Sequence, residues 1–198
     1  DEAPFPAVAG LCHVFLAPSL VHLCHVFDAV APVSRRFIPR IRSVGVGKVL
    51  DIPFGANWAS FDSFIQPNWE KTIDVAWTFG DGPASAVYGN LRTRLGEETR
   101  AFQLTHGDRY SVVIRSGIRR DEYVSVLRQS RIVLNAVGIN GPYNYRTCEA
   151  MNAGALLFQY DGPGLAIDTD IGDYVRPREH LGTFRFDNLE EKLLYYLE

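Results

Sequence analysis

Residues 131–158, R-I-V-L-N-A-V-G-I-N-G-P-Y-N-Y-R-T-C-E-A-M-N-A-G-A-L-L-F, leave the chain few choices of fold. Residues 132–134 form a short apolar run bounded by polar residues, as in a buried strand. The Gly- and Asn-rich residues 138–144, with Pro142 among them, read as a loop. Tyr145–Asn152 reads as a short helix, closed by Gly154, a residue type favoured just past a helix end. Residues 155–158 are apolar again and read as the next strand. Strand, loop, helix and strand make the unit of a parallel sheet, whose ligands bind at the carboxyl ends of the strands.

Charge adds a functional constraint. With Asn144 as the N-cap, Arg146 falls in the first helical turn. An anion there would be favoured by about 0.3–1 kcal/mol, and a cation is opposed. Arg146 therefore requires a nearby negative group, and two remain open. One is Glu149, three residues on, in an intrahelical pair contributing ~0.2–0.5 kcal/mol. The other is a ligand phosphate, held by Arg146 and the free N–H groups of the helix start. Glu149 would then accept hydrogen bonds from sugar or ribose hydroxyls.

The run R-T-C-E-A-M-N-A-G-A-L-L-F resembles the nucleotide-sugar signature of GT-B glycosyltransferases of the group 1 type, and most closely the spore-maturation-protein-like branch. The pattern is carried by Leu134, Asn135, Arg146, Glu149, Ala150 and Gly154. The wider superfamily has a Glu-x7-Glu motif. Glu149 matches its second Glu, which in the family contacts the donor ribose, whereas Gly141 stands where the first belongs. The resemblance extends more weakly from about His22 to the C-terminus.

Upstream, Ile73–Phe79 reads as a strand and Gly80-Asp81-Gly82-Pro83 as a loop, followed by a helix with Val87, Leu91 and Leu95 on one face. The resemblance implies that Gly80 and Gly82 face the sugar diphosphate, where glycine permits close backbone approach. Arg92 and Arg94 read as solvated charges. Residues 101–104 and 112–114 are further strand candidates, too close together for a parallel crossover, so that either they form a hairpin or one of them is irregular. Arg115 follows the second, at a strand end that should line the crevice. His106 reads as a lone loop histidine, Asp121 as a helix cap and Tyr123 as packing. Asp168, Asp170 and Asp173 are spaced somewhat as in a calcium loop, but the required Gly and bidentate Glu positions are absent, so they read as solvated loop acids. Residues 184–186 read as a strand before a leucine-faced helix capped by Asn188, with Glu191 at its third position.

Residues 1–65 read as a remnant of the N-terminal GT-B half with its connector, and residues 66–198 as the Rossmann-like nucleotide-sugar-binding domain. The first region repeats L-C-H-V-F at residues 11–15 and 23–27. None of the zinc spacings is met by Cys12, His13, His22, Cys24 and His25. A chain opening on Asp1 reads as a piece of a longer protein whose remaining half covers this region. The net charge of −3 offers no general attraction to nucleic acid, and no apolar run is long enough to span a bilayer. The 3 widely spaced cysteines suit a reducing compartment, so a cytoplasmic location is expected.

The resemblance thus implies an α/β, Rossmann-like fold and transfer of a sugar from a nucleoside diphosphate to an unknown acceptor, without a metal or other cofactor. Its implied donor contacts are Gly80, Gly82, Arg115, Asn144, Arg146 and Glu149. A catalytic base would come from the missing half, leaving this fragment inactive alone. The alternative is a non-catalytic nucleotide-binding or interaction domain of GT-B type, and a sugar-nucleotide epimerase of that fold is a third reading.

Overall fold

The computed structural model describes residues 8–11, 28–32, 38–51, 70–79, 86–136, 144–162 and 179–198. Among these, strands β1 (Val8–Leu11) and β2 (Ala29–Pro32) pair in parallel. Helix α1 (Ile38–Ser43) follows, and its Ile41 packs with Val30 and Val46 in a small core of their own. The larger unit is a parallel sheet of β3 (Ile73–Phe79), β4 (Val112–Ser116), β5 (Ser130–Asn135), β6 (Leu156–Tyr160) and β7 (Gly182–Phe184), in the order β4-β3-β5-β6-β7. Its helices are α2 (Ala86–His106), α3 (Arg120–Gln129), α4 (Tyr145–Asn152) and α5 (Leu189–Leu197).

Near-continuous apolar strands indicate a sheet covered on both faces, and the core divides accordingly. Val75, Trp77, Ile132, Leu134 and Phe158 meet Leu95 and Phe102 of α2 and Leu193 and Leu197 of α5. Ala76, Val133 and Leu157 meet Val124 and Leu127 of α3 and Ala150 of α4. Alternation along β3, β5 and β6 sorts the side chains between these two layers.

Strand order fixes where a ligand can bind. From β3 the chain crosses through α2 to β4 on one side. From β5 it crosses through α4 to β6 on the other. The carboxyl ends of neighbouring β3 and β5 therefore flank the topological switch point, the usual ligand crevice of such a sheet. At the opposite end Lys71 donates from Nζ to the carbonyls of Arg128 (2.8 Å) and Ala153 (3.0 Å), joining the C-terminal ends of α3 and α4. A cation suits helix C-termini. Gly154, at φ +66°, ends α4 as expected.

Several local expectations are corrected. Residues 101–104 are the last turns of α2, because buried Leu95, Thr99 and Phe102 extend one helical stripe. No hairpin forms there, and β4 pairs with β3 in parallel through a complete crossover. Helix α3 begins at Arg120 with Arg119 as its N-cap, and Asp121 instead pairs with Arg119 in the first turn. The last strand lies at Gly182–Phe184, where a Cβ on Gly182 would stand 2.2 Å from Phe158 Cδ2. Asn188 heads α5, but its Oδ1 accepts from the Arg185 amide (2.8 Å) and not from the helix. His106 ends α2, paired with Glu190 at 2.7 Å and packed on Phe102. The Cys- and His-bearing segments at residues 12–27, Gly80, Gly82, Gly141 and the aspartates at 168, 170 and 173 lie outside the described residues.

Candidate functional site

The crevice is built on a buried amide pair. Asn135 ends β5 fully buried, beside Gln159 of β6 in register. Its Nδ2 donates to Gln159 Oε1 (2.8 Å) and to Asn144 Oδ1 (3.3 Å), and Asn144 Nδ2 returns a bond to Asn135 Oδ1 (3.2 Å). Asn144 also donates to the Ala136 carbonyl (3.0 Å) and accepts from the Arg146 amide (3.0 Å). Buried Thr147 accepts from the Asn144 amide at 3.3 Å, closing a capping box. These bonds lock the start of α4 to the ends of β5 and β6.

The same bonds correct one expectation. An amide side chain offers two donor hydrogens and one acceptor oxygen, and Asn144 uses both inside the protein. The amides of Arg146 and Thr147 are likewise taken, by the Asn144 side chain and carbonyl. Asn144 therefore positions the helix start, and the side chain of Arg146, not its amide, is what remains to meet a ligand.

Arg146 reaches over the sheet, its Cζ 5.1 Å from the centre of the Trp77 ring. Its Nε is buried with no hydrogen-bond partner among the described residues. Arg92 of α2 shares this place. Its pKa is lowered, first by burial and then by the positive charge of Arg146. Arg92 is thus partly buried and feels the charge of a second cation, which departs from the expected solvated charge. Two cations sharing a crevice repel one another until an anion joins them. Thr78, next to last in β3, adds a buried Oγ1 without a partner among the described residues.

Glu149 is only 6% exposed. It does not pair with Arg146, and its carboxylate already has two partners on another helix. Tyr123 donates its hydroxyl to Oε2 at 2.6 Å, and Arg120 donates from Nη1 to Oε1 at 2.7 Å. Burial, together with the Glu149 carboxylate, pushes the Tyr123 phenol up to about 12 against the opposing charge of Arg146. A phenol held neutral in the fold stabilises fully below its unfolded pKa of about 10, and that contribution is lost as pH rises towards 12. Urea unfolding between pH 9 and 12 should show a decline in the wild type that is shallower in Tyr123→Phe, whereas equal slopes would refute this assignment.

Of the expected contacts, Arg146 and Glu149 lie on α4 and Asn144 is its N-cap. Arg115 lies exposed on edge strand β4, in register with Thr78. Trp77, Arg92, Arg120, Tyr123, Thr147 and Gln159 join the site without having been expected. Only Gln159 carried a sequence signal, a polar residue within an apolar strand. Among the described residues no group of three His, Cys, Asp or Glu side chains could hold a metal ion, and no helix is long and apolar enough to cross a membrane.

A family model described as glycosyl transferase-like matches residues 86–198. Among solved structures, the crystal structure of TarM aligns with a TM-score of 0.56 at 10% identity. That match covers 96% of this chain and 43% of TarM, so the chain spans less than half the length of that protein. At this identity the similarity is one of fold. No curated protein matches the sequence.

Proposed function

The chain belongs to the glycosyl transferase-like family, of GT-B type, and from that premise we propose that it binds a nucleoside-diphosphate sugar at the carboxyl ends of β3 and β5 and presents it for transfer to an acceptor. The observation that carries this reading is the unpartnered Arg146 Nε beside Arg92 at the switch point. The pair supplies positive charge where a diphosphate would lie. As the glycosidic bond breaks, the leaving diphosphate gains negative charge, and cations already aimed at it lower the barrier. Little reorganisation is needed, because Asn144 and Thr147 fix the start of the helix that carries Arg146.

In this reading Arg146 and Arg92 hold the phosphates and Glu149 meets the ribose hydroxyls. Gly80 and Gly82 allow close backbone approach, and Arg115 lines the outer edge. Residues 1–65 belong to the partner half of the fold and residues 66–198 to the donor half, with the acceptor and any catalytic base brought by the remainder of a two-domain enzyme.

Calorimetric titration of UDP, GDP and ADP into the protein tests this. One of the three should bind, and Arg146→Ala should weaken it at least about tenfold, the 1.5–3 kcal/mol typical of a lost charged hydrogen bond. Binding that Arg146→Ala leaves intact would move the diphosphate elsewhere. Absence of binding by all three would sink the reading.

A further inference from the structure

Glu149 raises a question that donor binding alone does not answer. A carboxylate used to receive ribose hydroxyls must be held in one orientation, yet its side chain has three rotatable bonds and its own helix supplies no partner. Its hydrogen bonds come from α3, where Tyr123 lies 26 residues and Arg120 29 residues earlier in sequence. The two partners differ in stiffness. Arg120 is a long side chain, 47% exposed, with its Cζ 5.3 Å from the centre of the Tyr123 ring. Tyr123 is an aromatic ring packed against the α3–α4 core, with only two side-chain torsions. Its 2.6 Å bond to Oε2 is the short, charge-assisted kind. Two bonds also leave further acceptor sites on an ionised carboxylate, which offers about four in all.

We propose that Tyr123 is a positioning residue of the nucleotide site, its hydroxyl fixing the Glu149 carboxylate in the plane that the ribose hydroxyls meet. The proposal rests on the donor-site reading above and adds to it a residue on a different helix. Arg120 neutralises the buried carboxylate and Tyr123 orients it. The phenol also feels the charge of Arg146, the residue assigned to phosphate.

The test pairs one substitution with two ligands. Wild type and Tyr123→Phe are titrated with whichever of UDP, GDP and ADP binds, and with its 2′,3′-dideoxy analogue. Tyr123→Phe keeps the ring and its packing, and thermal unfolding of both forms verifies the fold. The wild type should prefer the ribose-bearing nucleotide. Tyr123→Phe should weaken that nucleotide about tenfold, equivalent to 1.4 kcal/mol, and leave the dideoxy analogue unchanged. An equal loss for both ligands would give Tyr123 a merely structural role, and no loss for either would give it none. Equal wild-type affinity for the two ligands would remove the ribose contact while sparing the phosphate site. A wild type that binds no nucleoside diphosphate would overturn both readings.

Discussion

Asn135→Asp is expected to destabilise the protein by about 3–5 kcal/mol, although it exchanges one NH2 group for an oxygen. Asn135 is fully buried, and its Nδ2 faces three oxygens: Gln159 Oε1 at 2.8 Å, Asn144 Oδ1 at 3.3 Å and Thr147 Oγ1 at 3.4 Å. In aspartate an anionic oxygen would face those acceptors. The Thr147 hydroxyl could turn to donate, but Asn144 is already committed through both of its amide hydrogens. A buried charge with no cation beside it either unfolds the site or takes up a proton, and both lower stability at neutral pH. Urea unfolding should therefore show a strong loss at pH 7 that shrinks as pH falls and the carboxyl protonates. A loss below about 1 kcal/mol would mean that the pocket rearranges or admits water.

The damage should reach the site before the whole fold gives way. Asn135 holds Asn144, Asn144 caps α4, and α4 carries both Arg146 and Glu149. A fully buried sheet residue thus sets the position of two residues assigned to the donor.

How legible this was depended on the distance between partners. Ile73–Phe79 and Tyr145–Asn152 follow from apolar runs, an N-cap and a closing glycine, all local signals, and the structure has both with the expected bounds. The α/β class followed from the same unit. Residues 101–104 misled because a short apolar run suits a strand or a helix equally. The stripe that decides it begins at Leu95, outside the run. Arg146 and Glu149 were picked out as the charged residues of a helix start, but the partners of Glu149 were not. The i, i+3 rule looks along one helix, whereas Tyr123 and Arg120 arrive from another, across the connection that forms β5. Arg92 misled for a similar reason. A lone arginine on a helix reads as solvated until the opposing element is known, and here that element is α4, more than fifty residues on.

Trp77 separates packing from site support. Trp77→Ala should cost about 3–5 kcal/mol, the usual penalty for removing a buried aromatic side chain. The ring is fully buried, stacks on Phe79 at 5.8 Å and lies against Gly96 of α2, where a Cβ would come within 3.6 Å of Nε1. Trp77→Phe loses part of that volume but also removes a buried N–H that has no partner among the described residues. Leaving such a donor unpaired costs roughly 1–3 kcal/mol, so the two effects oppose one another. The net change for Phe should stay below about 1.5 kcal/mol. The site should follow the same order, because Arg146 rests over this ring. An aromatic face beneath a guanidinium contributes about 0.5–2 kcal/mol, and Phe supplies a face where Ala does not. Urea unfolding of both variants, with nucleotide titration at a temperature where both are folded, would measure the two orders together. If Phe proved as damaging to stability as Ala, the indole N–H would have a partner within the fold. If both variants bound nucleotide as the wild type does, the ring would serve the core alone and Arg146 would hold its place without it.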